Sequence, residues 1–130
     1  MRTRTVVVCA SLLLMLGVGT GAFGAHGLRT YVPADMLAVW QTAVLYQFVH
    51  ALGLLGVAAL RPRLHHRLCS ASIGFMLAGV ALFSGSLYAL VLTGTRGLGA
   101  ITPFGGVCFM VGWLLLTLAA IRGSWEDPIR

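Results

Sequence analysis

Four apolar runs, Thr5 to Phe23, Met36 to Leu60, Leu68 to Leu92 and Pro103 to Ile121, take up most of this chain. They hold 19, 25, 25 and 19 residues. A helix rises about 1.5 Å per residue and the hydrocarbon core of a bilayer is about 30 Å thick, so each run can cross. Hydrocarbon offers no water to an open backbone, and runs of this length satisfy their N–H and C=O groups as helices. The sequence therefore specifies an all-α fold, an integral membrane four-helix transmembrane bundle, as a single domain over residues 1–130. Only 9% of the residues are charged, against about a quarter in soluble proteins, which excludes a soluble domain.

The remaining charges sit at the ends of the runs. Arg2, Arg4, Arg61, Arg63, Arg67, Arg122 and Arg130 fall on one side of a four-span chain, and Arg29 and Arg96 on the other. The positive-inside rule then expects a cytoplasmic (inner) membrane protein with both termini and the segment "RPRLHHR" in the cytoplasm. The net charge of +6 reads as this topology signal, and no nucleic-acid partner is expected. "MRTR" followed by "TVVVCASLLLMLGVG" also resembles a secretory signal, with small residues at Ala22 to Gly24 where cleavage would leave three spans. The length of the apolar run favours a retained span. Thr102 before Pro103 is expected to be the N-cap of the fourth helix, and Pro33 with Asp35 to mark the start of the second.

The inventory of reactive groups is thin. Cys9, Cys69 and Cys108 show no CxxC spacing and read as small apolar fillers. Asp35, Glu126 and Asp127 all lie outside the runs, which argues against proton-coupled transport through an embedded carboxylate. His26 and His50 differ in depth by about 15 Å, too far to share a haem, and zinc or copper would want more ligands at one level. No metal or other cofactor is expected. His65 and His66, beside three arginines, are expected at lipid headgroups. No nucleophile–base pair, phosphate loop or nucleotide fingerprint is present, and no enzymatic activity is expected.

Polar side chains inside hydrocarbon need a partner or a purpose. Counted from Arg61, His50 lies about 16 Å deep and Gln47 about 21 Å; counted from Arg67, Ser84 and Tyr88 lie at about 25 and 31 Å. The polar groups thus gather in the outer half, leaving the inner half nearly apolar. Ala43, Tyr46, Gln47 and His50 share one stripe about 100° wide, Ser84 and Tyr88 share a face of the third span, and Ser86 points away from them. The candidate polar layer is His26, Tyr46, Gln47, His50, Ser84, Ser86, Tyr88 and Thr102. His50 is expected at its centre, as a neutral ring donating one hydrogen bond and accepting another, with His26 capping the cluster from outside. Two readings stay open: interhelical glue, at roughly 0.6–2 kcal/mol per bond, or a binding or conduction site for a small solute, lipid, quinone or metal. Gly17 and Gly21, a GxxxG pair, with Gly24, Gly105, Gly106 and Gly112, are expected where helices pack.

"GAFGAHGL" (21–28), "WQTAVLYQFVHALGLLG" (40–56), "LFSGSLYAL" (82–90) and "TPFGGVCFMVGWLLL" (102–116) follow in order over nearly the whole chain. Together they resemble the domain-of-unknown-function 423 family of small bacterial inner-membrane proteins, to which transmembrane protein 256 of animals looks related. By that resemblance His26, His50, Ser86, Tyr88, Pro103, Gly105, Gly106 and Trp113 occupy signature positions. The resemblance implies the fold and an uncleaved first span, and it implies no activity. The expected role is a non-enzymatic scaffold, accessory subunit or modulator, with a small binding or permeation protein as the alternative. Expected partners are the lipid bilayer, other membrane proteins, or further copies of the chain in a homo-oligomer.

Overall fold

The computed structural model describes residues 1–125, so Glu126, Asp127 and Arg130 lie outside the described residues. The helices are α1 (Thr3–His26), α2 (Ala34–Leu60), α3 (His66–Gly79), α4 (Gly85–Thr93) and α5 (Thr102–Ile121). A π turn, Val80–Ser84, joins α3 to α4 without a break, and the Gly85 N–H closes it on the Val80 carbonyl. With the 3-10 turns that extend them, the helices make four rods long and apolar enough to cross a bilayer: Thr3–Thr30, Ala34–Arg63, His66–Thr93 and Arg96–Ile121. Each expected apolar run lies within one rod. The rods hold 26 to 30 residues. At about 1.5 Å per residue they outreach the hydrocarbon, so their ends lie at headgroup depth.

Local chemistry sets the ends. Pro33 is extended (φ −61°, ψ 160°) and Asp35 sits in the first turn of α2, where a carboxylate complements the helix dipole. Gly94 ends α4 in the left-handed region, φ 69°, returning its N–H to the Leu90 carbonyl. The start of α5 differs from expectation. Thr102 is already helical, Ile101 occupies the cap, and no side chain caps the helix. The preceding 3-10 turn, Arg96–Ala100, runs straight into α5 through Ile101 N–H to Leu98 O and Phe104 N–H to Ile101 O. That continuity supplies what a capping hydroxyl would have supplied, and leaves the Thr102 hydroxyl available elsewhere.

Helix α1 packs along α2, and α3 along α5, while the π turn lies against both α2 and α5, and α4 lies against α2 and the 3-10 turn Arg96–Ala100. The two middle rods are the most buried and α1 and α5 flank them. One apolar cluster, including Val6, Leu54, Ile73 and Ala119, fills the end that carries residue 1 and the 61–65 turn. A second, of Leu28, Trp40, Leu90 and Val91, fills the opposite end.

Lipid tails are as apolar as these side chains, so close approach rather than a hydrophobic drive holds the rods together. A Cβ on Gly24 would stand 2.6 Å from the Trp40 ring, and one on Gly105 would collide with the Phe83 backbone. Gly17 faces Phe48 at 3.1 Å and Gly112 faces Met76 at 3.0 Å. Gly21 and Gly106 are looser, with their nearest neighbours at 3.5 and 3.9 Å. Two glycines not singled out from the sequence also pack tightly: Gly79 against Phe109 and Gly53 against Trp113.

Candidate functional site

Helix α2 carries the stripe expected from the sequence, but the stripe is wide enough to meet two neighbours, and the bundle divides it. Ala43 and Gln47 turn toward α1 and the third rod. Tyr46 and His50 turn toward α5.

On the first side a hydrogen-bonded chain ties three rods. Gln47, only 4% exposed, donates from Nε2 to the Leu13 carbonyl of α1 at 2.7 Å. Its Oε1 accepts from the Tyr88 hydroxyl at 2.7 Å. The Tyr88 oxygen also lies 3.2 Å from Thr20 Oγ1, which is within 3.2 Å of the Gly17 carbonyl as well. Trp40 Nε1 donates to the Thr20 carbonyl at 2.8 Å, and its ring lies 4.6 Å from that of Tyr88. Ser84 donates to the Ala43 carbonyl at 2.7 Å. The Gln47 amide thus finds a donor and an acceptor on different helices, and the chain ends on backbone carbonyls. Thr20 and Trp40 were not among the residues singled out. The available signal for Trp40 was its position seven residues before Gln47, which places it on the same face.

On the second side the groups are aromatic. His50, 4% exposed, bonds through Nδ1 to the Tyr46 carbonyl at 2.7 Å; a carbonyl only accepts, so Nδ1 donates. Its ring lies flat on Phe109, with centroids 3.4 Å apart and planes 10° apart. Tyr46 stacks on Phe83 at 4.3 Å. Beside them runs a groove of about 440 Å³ lined by Tyr46, His50, Phe83, Phe109 and Trp113 among others. A neighbouring recess of about 390 Å³ shares Tyr46, His50 and Trp113.

The expected single layer is therefore three separate groups, and His50 is not their centre. Among the described residues its side chain has no hydrogen bond to the third rod; its one partner is on its own helix. The third group is Ser86, which bonds the Phe83 carbonyl of the π turn at 3.0 Å and meets Thr102 Oγ1 at 2.7 Å, tying α4 to α5. His26 is exposed on the last turn of α1, with no side-chain hydrogen bond among the described residues, and caps nothing. The half of the bundle that carries residue 1, expected to be nearly apolar, also holds a polar tie that the depth count overlooked: fully buried Ser72 donates to the Gly112 carbonyl at 2.7 Å. A serine reads as a small residue in an apolar run, and only the facing carbonyl reveals its use. Among the described residues no three His, Cys, Asp or Glu side chains gather in one place.

The Thr102 arrangement makes a testable distinction. Thr102→Val keeps the shape and loses the Ser86 bond, so a loss of about 1 kcal/mol is expected in micelle unfolding. Thr102→Asp, a good N-cap, should do no better; a Thr102→Asp protein as stable as the parent would restore the capping role.

Residues 20–106, well over half of the chain, match the family model described as "Protein of unknown function (DUF423)". The chain is 44% identical over 120 residues to the UPF0382 membrane protein YwdK of Bacillus subtilis, spanning 92% of this chain and 98% of that one. It is 43% identical, with the same coverage, to the UPF0382 membrane protein SSP2132 of Staphylococcus saprophyticus. A Staphylococcus haemolyticus UPF0382 membrane protein, SH2409, is 44% identical over 92% of this chain and 97% of its own. No solved structure matches. The chain belongs to the DUF423 family of membrane proteins.

Proposed function

We propose that this member of a bacterial membrane-protein family is a non-enzymatic scaffold or accessory component that works by holding a fixed bundle surface toward other membrane proteins or further copies of itself. The observation that carries this reading is the hydrogen-bonded chain of Gln47, Tyr88, Thr20 and Trp40. Polar groups that line a conduction path must be free to exchange partners, whereas these are spent on backbone carbonyls and on each other. Such ties fix the relative rotation of three rods, which suits a presented surface. The described acidic residue, Asp35, is at a rod end beside Arg96 (3.7 Å), both well exposed, and so offers no embedded proton site.

Site-specific photo-crosslinking from outward-facing Met15 or Leu114 in native membranes tests this. A discrete adduct with a second copy or another membrane protein is expected. Monomer alone from both positions, together with saturable solute flux in proteoliposomes, would overturn the reading.

The orientation we infer places the end with Arg2, Arg4, the 61–67 segment and Arg122 in the cytoplasm of the inner membrane, on the arginine asymmetry. Alkaline phosphatase fused after Thr95 should be active and after His66 silent; the reverse pattern inverts the topology.

A further inference from the structure

The hydrogen-bonded chain leaves out one polar atom of a buried side chain, His50. His50 Nδ1 is committed to the Tyr46 carbonyl, so Nε2 of the neutral ring is a lone-pair acceptor. Among the described residues Nε2 makes no hydrogen bond, yet it is not among the enclosed unpartnered atoms, which are Arg61 Nη1 and His65 Nδ1. It is therefore open to the space that His50 lines, the groove between α2 and α5. His50 is the 17th residue of a 30-residue rod, so this opening is near mid-membrane, where water is not the waiting partner.

The lining specifies the partner. Tyr46 and Trp113 border both recesses, and neither the Tyr46 hydroxyl nor the Trp113 indole N–H has a partner among the described residues, which adds a donor and a donor–acceptor to the His50 acceptor. The remaining walls are apolar and aromatic, with Phe83 and Phe109 prominent. No arginine or acid lines either recess, so a charged headgroup is not accommodated at this depth. Aromatic walls favour a planar ring, and about 440 Å³ is within the range of small-molecule sites. The rim residues Leu45, Val49, Val107 and Met110 are exposed on the outer surface, so a ligand enters from the lipid. We propose that this groove binds the ring of an uncharged, lipid-borne hydroquinone, one ring hydroxyl donating to His50 Nε2. This stands independently of the scaffold reading, since a bound ring between α2 and α5 neither needs nor forbids a protein partner.

The test uses full-length protein in nanodiscs, labelled with ¹⁵N at histidine, titrated with decyl-hydroquinone, with its bis-methyl ether, and with decanol. Decyl-hydroquinone should shift the His50 Nε2 resonance saturably, while the ether, which has no donor, and decanol, which has no ring, bind about tenfold more weakly or not at all. His50→Leu, read by quenching of tryptophan emission, should weaken binding by about the same factor. Gly106→Leu guards against misfolding of that variant: its Cβ has room, 3.9 Å from Phe83, and its side chain grows from the groove wall. It should abolish the shift with the fold intact by circular dichroism. Equal affinity for the ether or decanol, an unmoved Nε2 resonance, or undiminished binding in folded Gly106→Leu would each overturn the proposal.

Discussion

Gly105→Ala is expected to cost about 3 kcal/mol and to loosen α5 from the third rod, a large effect for one methyl group. The added Cβ would meet the backbone nitrogen, Cα and Cβ of Phe83, atoms that cannot rotate away as a side-chain tip can. Overpacking against yielding side chains costs about 1–3 kcal/mol, and here the obstacle is the main chain of a π turn, so the upper end applies. Gly106→Ala, one residue on, meets nothing nearer than the Phe83 ring at 3.9 Å. There the better helix propensity of alanine should leave stability unchanged or slightly raised. Unfolding of both variants in mixed micelles decides the matter. Equal midpoints would mean that α5 does not approach the third rod at Gly105 as described. The same crossing supports the groove, so Gly105→Ala should also disturb the stacking of Phe83 on Tyr46.

Gln47→Leu is expected to cost about 2 kcal/mol, because it removes two interhelical hydrogen bonds at once while keeping the side-chain size. Tyr88→Phe should cost about 1 kcal/mol, the loss of its bond to Gln47 with Thr20 left to its Gly17 carbonyl. The informative quantity is the double variant. Residues sharing a hydrogen bond are non-additive, so Gln47→Leu with Tyr88→Phe should fall short of the sum by about 1 kcal/mol. Strict additivity would show that the 2.7 Å contact contributes no coupling. His26→Ala, by contrast, should stay within about 0.5 kcal/mol, as expected of an exposed side chain without a partner.

The number of rods, the apolar centre of each and several of the packing glycines, Gly17, Gly24, Gly105 and Gly112, were legible in the sequence, whereas Gly53 and Gly79 were not. Backbone groups in hydrocarbon are satisfied only in helices or closed barrels, and continuous apolar runs of about 20 residues fit the helix, so run length is decisive here. The start of α2 was legible for a similar local reason: Pro33 acts through its own backbone angles, whereas Gly94, which ends α4, was not singled out. Helical phase also identified the right face of α2, with Tyr46, Gln47 and His50 all turned inward or into a groove.

Tertiary structure decided which neighbour each residue on that face meets. Tyr46 and Gln47 are one residue apart, about 100° around the helix, and that is enough to send one to Phe83 and the other to Tyr88. No one-dimensional pattern states where, around α2, the third rod gives way to α5. The π turn at Val80–Ser84 added a second unknown, since one widened turn re-aims every residue after it and brings Phe83 under Gly105. Serines show the limit most simply. Ser72 and Ser86 look alike in an apolar run, and whether each ties two helices depends on a carbonyl or hydroxyl supplied from 40 or 16 residues away. Helix formation is a local transaction with the backbone and can be read along the chain. Partner choice in a bundle is set by how whole rods rotate and cross, and only the folded arrangement fixes that.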